Sequence, residues 1–543
     1  MKLHVDQIGY LPNERKLAIL SVPGLGTAPA PETVPAVVHI FRENGNTTPV
    51  EPVIMQHGFE EASGEFTWII DFSTLREPGT YRLGTVNGLF SCPFRVAADV
   101  YHEVFRDMNR MFYYQRCGEE LPEKYAGAFK RPCCHTAKVT DYEDRSHSFT
   151  LNGGWHDAGD FGRYTTAGAV TVGHLLYAFS MFRDNYDFSM NLPESGNGIP
   201  DILNEVRYEL NWLLQMQYGD GSVSHKLTAL HHAGYIMPHE DLSPFYRMPA
   251  SSLATADFCA AAALSSRIFA DFDKAFSDTL KNASLRAWDW LAAHPTLVFT
   301  NPADCTTGGY GDRSDEDERL WALAELARLT GDRRFHEELS RFSYSHINRT
   351  RFGWADVAGF AGLCILFSPD GTFGEDITSC FRNSFEDRAY VLSHTTHTHG
   401  YRMSLRQQEF YWGSNSGCMN NAIVLMVASM LTGNREYASD AAEQLHYLFG
   451  RNPLDVCFVT GHGSNPVKDP HNRPSFAGHL SCTHPGFVSG GPNQRRNDEY
   501  AGKTIPEGTP GMLCFTDDYR SYSTNEIAIY WNSIAILALA YFQ

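Results

Sequence analysis

The 543-residue chain has no run of about 18 consecutive apolar residues, the length that a membrane-spanning helix requires. Its nearest approach, IAIYWNSIAILALAYF, carries Asn532 and reads as a buried helix. No Lys/Arg run stands out, and the formal charge is −19, so a nucleic-acid backbone or an anionic membrane meets repulsion over most of the surface. Neither is an expected partner. The opening MKLHVDQIGYLPNERKLAIL lacks the basic start and apolar block of a secretory signal. As written, the protein is expected in the cytoplasm, and outside the cell only if a leader has been removed. The 12 cysteines have no framework spacing, which argues for buried thiols in a reducing compartment rather than a disulfide scaffold. No fixed-period repeat is visible, which weighs against a binding solenoid.

What is present is a globular composition, 43% hydrophobic and 20% charged, in a chain longer than one ordinary domain. Residues 1–97 hold short alternating runs: KLHVDQIGY, KLAILSV, AVVHIFREN, FTWIIDFS, GTYRLGTV and FSCPFRVA. Seven or so strands at this spacing predict a small β-sandwich. Beyond VAADVYHEVFRDMNRMFYYQRCG the period changes, and residues 98–543 are dominated by apolar positions three and four apart. Several of these segments stop at TGD or TGN, as helix ends do. Roughly a dozen paired helices predict a mainly α second domain, a toroid of helical hairpins with long loops. The segments 380–415 and 485–515 read as such loops.

Three motifs carry chemistry. LNGGWHDAGDFGRY sets Asp157 and Asp160 three residues apart among glycines, beside Trp155 and His156. DDYRSYSTNEIAIYWNS places Glu526 in the first turn of an apolar terminal helix. FGRNPLDVCFVTGHGSNPVKDPHNRPS is a polar loop with His462, His471 and Arg473, donors suited to sugar hydroxyls. Taken singly, each has a plain alternative: a capping pair, a dipole partner, a solvated loop.

Together and in this order they resemble glycoside hydrolase family 9, the inverting cellulases, in the subgroup with an N-terminal immunoglobulin-like domain. VDQIGYLPNERKLAILS is similar to the opening strands, GGWHDAGDFGRY to the Asp signature, DPHNRPS to the His/Arg loop and SYSTNEIAIYWNS to the Glu signature. The resemblance implies an (α/α)6 barrel with an open cleft. Cleaving an acetal needs one carboxylic acid to protonate the leaving oxygen and one carboxylate to activate water. By motif position the resemblance makes Asp160 the general base, Asp157 its water-holding companion and Glu526 the general acid. Glu526 then needs a raised pKa, supplied by apolar surroundings and neighbouring carboxylates. His471 and Arg473 match sugar-binding positions. Tyr522, Trp412 and Tyr411 are expected as pyranose platforms, with core packing an equal alternative for each, and His225 in SVSHKLT resembles a cleft position.

Cys117, Cys134, His135 and His156 offer two thiolates and two imidazoles, a tetrahedral zinc set without zinc-finger spacing. Cys133 leaves its register ambiguous, and a buried thiol pair is the alternative. The subgroup resembled carries a structural zinc at matching positions, which here would brace the catalytic turn. GGYGDRSDEDERLW gathers Asp312, Asp315, Asp317 and Glu318, hard oxygen ligands suited to calcium, or simply a solvated acidic helix start. The resemblance adds Asp356 as a more distant calcium ligand, and no organic cofactor is expected.

The expected activity is inverting hydrolysis of β-1,4-glucosidic bonds in cello-oligosaccharides or soluble β-glucans, with an oligosaccharide or polysaccharide as the partner and a monomer as the starting assumption. An exo-acting β-glucosaminidase on chitosan oligosaccharides would keep the fold and change the sugar. A non-catalytic glycan-binding protein is disfavoured because all three acids are present. A metal-dependent hydrolase is disfavoured because four protein ligands leave zinc no open position.

Overall fold

Alternating burial builds the first layer. The computed structural model describes residues 1–24, 37–85, 88–480 and 482–543, with the backbone only at 343 and 344. Its first part is a sandwich of β1 (Lys2–His4), β2 (Gly9–Tyr10), β3 (Leu17–Pro23), β4 (His39–Arg42), β5 (Val53–Glu60), β6 (Glu65–Asp71), β7 (Gly79–Gly84) and β8 (Phe94–Val96). Two sheets, ordered β1-β3-β6-β5 and β2-β8-β7-β4, enclose Leu20, Ile40, Ile70, Leu83 and Phe94. Strand β7 shows the period of two: Tyr81 and Leu83 point in and Arg82 points out. Strand β5 was not among the sequence runs, because it is an edge strand with few buried positions and no apolar alternation. Ala36 and Val86, at the ends of two runs, lie outside the described residues.

Twelve long helices follow among the described residues, alternating outer and inner. They are α1 (His102–Gln115), α2 (Thr165–Met181), α3 (Asp201–Met216), α4 (Ser252–Phe269), α5 (Lys274–Ala293), α6 (Glu316–Thr330), α7 (Arg333–Ser340), α8 (Ala358–Leu366), α9 (Glu375–Thr398), α10 (Ser414–Thr432), α11 (Arg435–Leu448) and α12 (Ile529–Ala540). The even-numbered helices form the inner ring of an (α/α)6 barrel. They are apolar or small all round, as in the fully buried stretches 165–179 and 252–266. Outer helices bury one stripe, as α5 does with Leu280, Ala283, Ala287 and Leu291. Helix α9 corrects the loop expected from residue 380. Its stripe Ile377, Phe381, Phe385, Ala389 and Leu392 is buried at helical spacing, but the surrounding polar and β-branched residues, SHTTHTH above all, hid it. No helix among the described residues is long and apolar enough to cross a membrane.

The two ends of the barrel differ. Inner-to-outer links are mostly short, only Gly331–Asp332 after α6 and Gly433–Asn434 after α10. Both glycines adopt positive φ, 66° and 72°, the left-handed cap that explains TGD and TGN. Outer-to-inner links are long, and all six open at the end where the inner helices begin. The longest, residues 449–528, is gripped by the sandwich. Gln7 donates its backbone N–H to Phe449 O (2.9 Å) and its side-chain amide to Asp455 O (2.7 Å), and accepts from Asn465 N (2.8 Å). Arg15 donates to Glu443 (2.7 Å), Asp440 (2.6 Å) and Glu436 on α11.

The carboxylates of Asp440 and Glu443 are fully buried, so losing their Arg15 donors leaves charge under-compensated. Arg15→Ala is expected to cost about 1.5–3 kcal/mol of stability, read as a drop in melting temperature of about 1–3 °C. An unchanged melt would mean that this clamp does not hold the two domains together.

Candidate active site

The Asp turn is fixed by backbone contacts before any side chain acts. Cys117 N–H donates to Gly154 O (2.8 Å) and His156 N–H to Gln115 O (2.8 Å), pinning the turn to the end of α1. The Gln115 amide then caps the carbonyls of His156 and Ala158. From the far side, Ile529 N–H donates to Asp157 O at 2.8 Å, and Ala158 pairs with Ala528. Arg473 gives its backbone N–H (3.1 Å) and one guanidinium N–H (2.8 Å) to Gly159 O. A Cβ at Gly159 would lie 2.0 Å from the His471 carbonyl oxygen, so only glycine fits. Gly154, at φ +78°, is equally pressed against Trp212.

Glu526 is not in the first turn of the terminal helix. A one-turn helix, Tyr522–Asn525, precedes it, and Glu526 itself is extended (φ −69°, ψ 155°), pairing with His471 three residues before α12 begins. This break turns the carboxyl into a cavity of about 790 Å³ shared with Asp157 and Asp160.

The three carboxyls have different environments. Asp160 Oδ1 accepts from Gly162 N–H (2.9 Å) and Oδ2 lies 2.7 Å from His232 Nδ1. Burial alone would raise Asp160, but His232, Arg473 and the Gly162 N–H outweigh it and hold the group below the usual carboxylate range. Asp157 Oδ2 accepts from the Tyr310 hydroxyl at 2.6 Å, and its buried Oδ1 has no protein partner. Burial, opposed by Tyr310 and assisted by Asp160, pushes Asp157 up to about 8. Burial and then the charges of Asp160 and Asp157 raise Glu526 well above its ordinary value, against Arg473 and the Gly159 N–H. One group is thus ionised while two favour their protons, the separation of roles that acid–base chemistry needs.

Among the other expected residues, Trp412 and Tyr522 line the cavity with partly exposed rings 5.3 Å apart. His471 also lines it. Its Nδ1–H donates to Tyr519 O (2.6 Å) and burial lowers it to about 4, so it presents Nε2 to the cleft as an acceptor, not the donor expected. Arg473 lines the cavity while its Nε–H serves Ala233 O. Three assignments need correction. His225 is fully buried behind the cleft, stacked on Phe299 at 4.0 Å, with Nε2 donating to Gly309 O (2.8 Å), so it props the loop bearing Tyr310 and does not reach a sugar. Tyr411 does not line the cavity; its hydroxyl lies over Gly417 on α10. His462 pairs with Asp107 on α1. Sequence reasoning missed Tyr310, His232, Tyr235 and Trp354, all of which line the cavity. The available signal for Tyr310 was its glycine-flanked setting, GGYGD, which permits its strained φ of +43°.

The four zinc-type residues converge. One ligand atom from each of Cys117, Cys134, His135 and His156 lies within 4.8 Å of the others, whereas Cys133 is exposed, which resolves the register. His135 Nδ1 and His156 Nε2 face each other at 3.3 Å. Asp241 takes the other nitrogen of His135 at 3.3 Å, the carboxylate–histidine arrangement typical of metal ligands. Hydrogen bonding from Cys117, opposed by burial, and then from His135 and His156 draws Cys134 into the thiolate range. This donor set suits a soft divalent cation. The acidic set is rearranged. Asp315 takes the Thr296 hydroxyl (2.8 Å) and pairs with Arg319 (3.0 Å), so it is not available. Both carboxylate oxygens of buried Glu318 and of Asp257 on α4 lack partners, and Asp317, Asp312 and Asp356 bear on the same cluster. Orphaned buried carboxylates fit a hard cation. Asp257 was invisible in the motif because it comes from another helix.

A cleft at the open end of an (α/α)6 barrel, with an ionised and a protonated carboxyl facing it, defines a glycoside hydrolase of the two-carboxylate type. The glycosyl hydrolase family 9 model matches residues 101–539 and the cellulase N-terminal ig-like domain matches residues 1–88. The chain belongs to glycosyl hydrolase family 9. It is 36% identical over 558 residues to a cellodextrinase of Butyrivibrio fibrisolvens, covering 99% of each chain. It superposes with TM-score 0.92 and 32% identity on a single-mutant thermostable endoglucanase from Alicyclobacillus acidocaldarius, covering 99% of each. A structure of AaCel9A in complex with cellobiose-like isofagomine gives 0.91 and 32%, again over 99% of each.

Since the Asp turn and the His471 loop touch at Gly159, Gly159→Ala must drive them apart. Activity is expected to fall by about 10²-fold or more, as a shift of about 1 Å in a catalytic group does, with thermal stability less affected than turnover. Near-normal turnover would show that the turn tolerates displacement.

Proposed function

We propose that the protein hydrolyses β-1,4-glucosidic bonds of cello-oligosaccharides or soluble β-glucans with inversion at the anomeric carbon. The observation that carries this is the pairing of an Asp160 held ionised with a Glu526 held protonated in one cleft. Asp160 takes a proton from the attacking water as the water oxygen bonds to the anomeric carbon. Glu526 gives its proton to the departing glycosidic oxygen. Asp157, anchored by Tyr310, turns its free Oδ1 to the same water, so a second acid helps to hold it. His471 Nε2 accepts from a sugar hydroxyl, and Trp412 and Tyr522 offer apolar faces to pyranose rings. The similarity to a cellodextrinase along the whole chain favours short glucans.

Zinc held by Cys117, Cys134, His135 and His156 would tie the Asp turn, through His156, to the end of α1. Calcium among Asp257, Asp317 and Glu318, with Asp312 and Asp356 nearby, would neutralise buried charge under the cleft. Neither touches substrate. The buried free thiols Cys259, Cys364, Cys418 and Cys457 suit a reducing compartment.

Proton NMR of cellopentaose hydrolysis should show α-configured products first; β-products would refute inversion. Glu526→Gln should lose about 10²–10⁴-fold on cellopentaose and far less on a dinitrophenyl cellobioside, whose leaving group needs no proton. Because Glu526 is raised, the wild-type alkaline limb should lie above the ordinary carboxylate range. An equal loss on both substrates would remove Glu526 from the acid role. Cys134→Ser should abolish bound zinc in elemental analysis and lower the melting temperature; protein purified without zinc would contradict the assignment.

A further inference from the structure

Three arginines near the open end of the barrel lack a protein acceptor. Arg351 lies in the link from α7 to α8, Arg388 in the second half of α9 and Arg406 in the link from α9 to α10. None of the three guanidiniums makes a hydrogen bond or ion pair with a described residue. Nearby arginines are committed: Arg349 donates to Phe342 O (2.9 Å) and Ser345 O (2.8 Å), and Arg402 to His397 O (2.6 Å).

Packing against α9 brings the three together. Segment 349–352 runs along that helix, with Arg349 over the Phe381 ring (5.8 Å) and Phe352 against Phe385 (6.2 Å). Arg351 is thereby carried toward the following turn, where Arg388 stands. Arg406 arrives from the other side, lining a polar pocket of about 300 Å³ with His394, Thr395 and Thr398 of α9. Burial and then Arg351 lower Arg388 from its ordinary value, Glu409 opposes them, and Arg406 adds to the lowering. One acid thus stands against three cations. Arg351 and Arg388 are half-buried and Arg406 is exposed, so the cluster is reachable from solvent on the side of Arg406.

The same two links also build the cleft. Trp354 follows Arg351 in one, Trp412 follows Arg406 in the other, and both indoles line the catalytic cavity. The arginines therefore continue the cleft outward from its two tryptophans, away from the acids. Their charge is out of character for a chain of formal charge −19. Like charges held close repel one another, and a bound anion removes that repulsion. The fixed fork of a guanidinium matches a carboxylate through two parallel N–H···O bonds.

We propose that Arg351, Arg388 and Arg406 form an anion subsite at the outer end of the cleft, which takes the carboxylate of an acid-substituted sugar unit in a β-glucan. This rests on the hydrolase reading above and adds a substrate class to it, glucans bearing uronate or carboxymethyl groups. The same cations repel the ammonium groups of chitosan oligosaccharides.

The test compares kcat/KM on carboxymethyl-cellulose and hydroxyethyl-cellulose of matched chain length and degree of substitution. Both substituents hang from the same hydroxyls, and only one is charged. The proteins are wild type, Arg388→Gln, Arg406→Gln and the double variant Arg351→Gln/Arg388→Gln. The carboxymethyl-to-hydroxyethyl ratio should fall about 5- to 30-fold in the double variant at low salt. The gap from wild type should close toward about 1 M NaCl, where the screening length is about 3 Å. A ratio shared by wild type and all variants overturns the proposal, as does a gap that salt leaves undiminished, which would make the arginines structural. Should the double variant lose its fold, Arg406→Gln decides alone, because its side chain is exposed. Cleavage of hydroxyethyl-cellulose with a fixed ratio defeats only the subsite, whereas failure to cleave cellopentaose or either derivative defeats the hydrolase reading and this inference with it.

Discussion

The catalytic turn has no helix or strand of its own, so its rigidity comes from close backbone contact with two other segments. Residues 157–159 are pressed between the His471 loop and the start of α12, where Ala158 pairs with Ala528 and His471 with Glu526. At Gly159 the approach leaves no room for a side chain. This contact is also what creates the electrostatics. Three carboxyls brought together at one cleft do not all ionise with equal ease, and the fold decides which does by giving Asp160 the donors and leaving Glu526 beside Ala528 and Ile527. The proposed acid–base pair is therefore a product of the backbone stitching more than of any single side chain.

The supports lie in layers behind the turn. The cysteine–histidine cluster fixes His156, the neighbour of Asp157, and His225 fixes the loop of Tyr310, which in turn holds Asp157. The sandwich grips α11 and the start of the link that carries His471 and Glu526, using Gln7 and Arg15. The first domain thus acts on the chemistry at a distance, through the backbone it restrains.

Much of this was legible in the residues. The period of two in GTYRLGTV and the period of 3.6 in SDTLKNASLRAWDWLAAH marked their elements because each buries one face. Inner helices such as ATADFCAAAALSSRIF were readable from apolar or small residues on every side. Helix α9 was not, since one narrow stripe sits among histidines and threonines. Glu526 was recognised but misplaced, because the apolar pattern runs through a break that only tertiary pairing explains. His225 was assigned to the cleft on its motif, yet burial puts it one layer back. His232, Tyr310 and Asp257 escaped because their meaning lies in partners on other elements, 153 residues away for Tyr310 and Asp157, and a linear pattern does not carry such distances.

The closure of the inner ring by α12 has a consequence for biosynthesis. The proposed base is encoded early and the proposed acid late, and α12, which seats both, follows them in the chain. With about 5–20 residues added per second, the sandwich and most of the barrel wait about 5–20 s on the ribosome with α2 and α10 lacking the helix that packs between them. During that interval the nascent chain exposes a broad apolar seam and has no working cleft. Chaperone dependence would concentrate there, and the cleft would be completed in a single step when α12 docks.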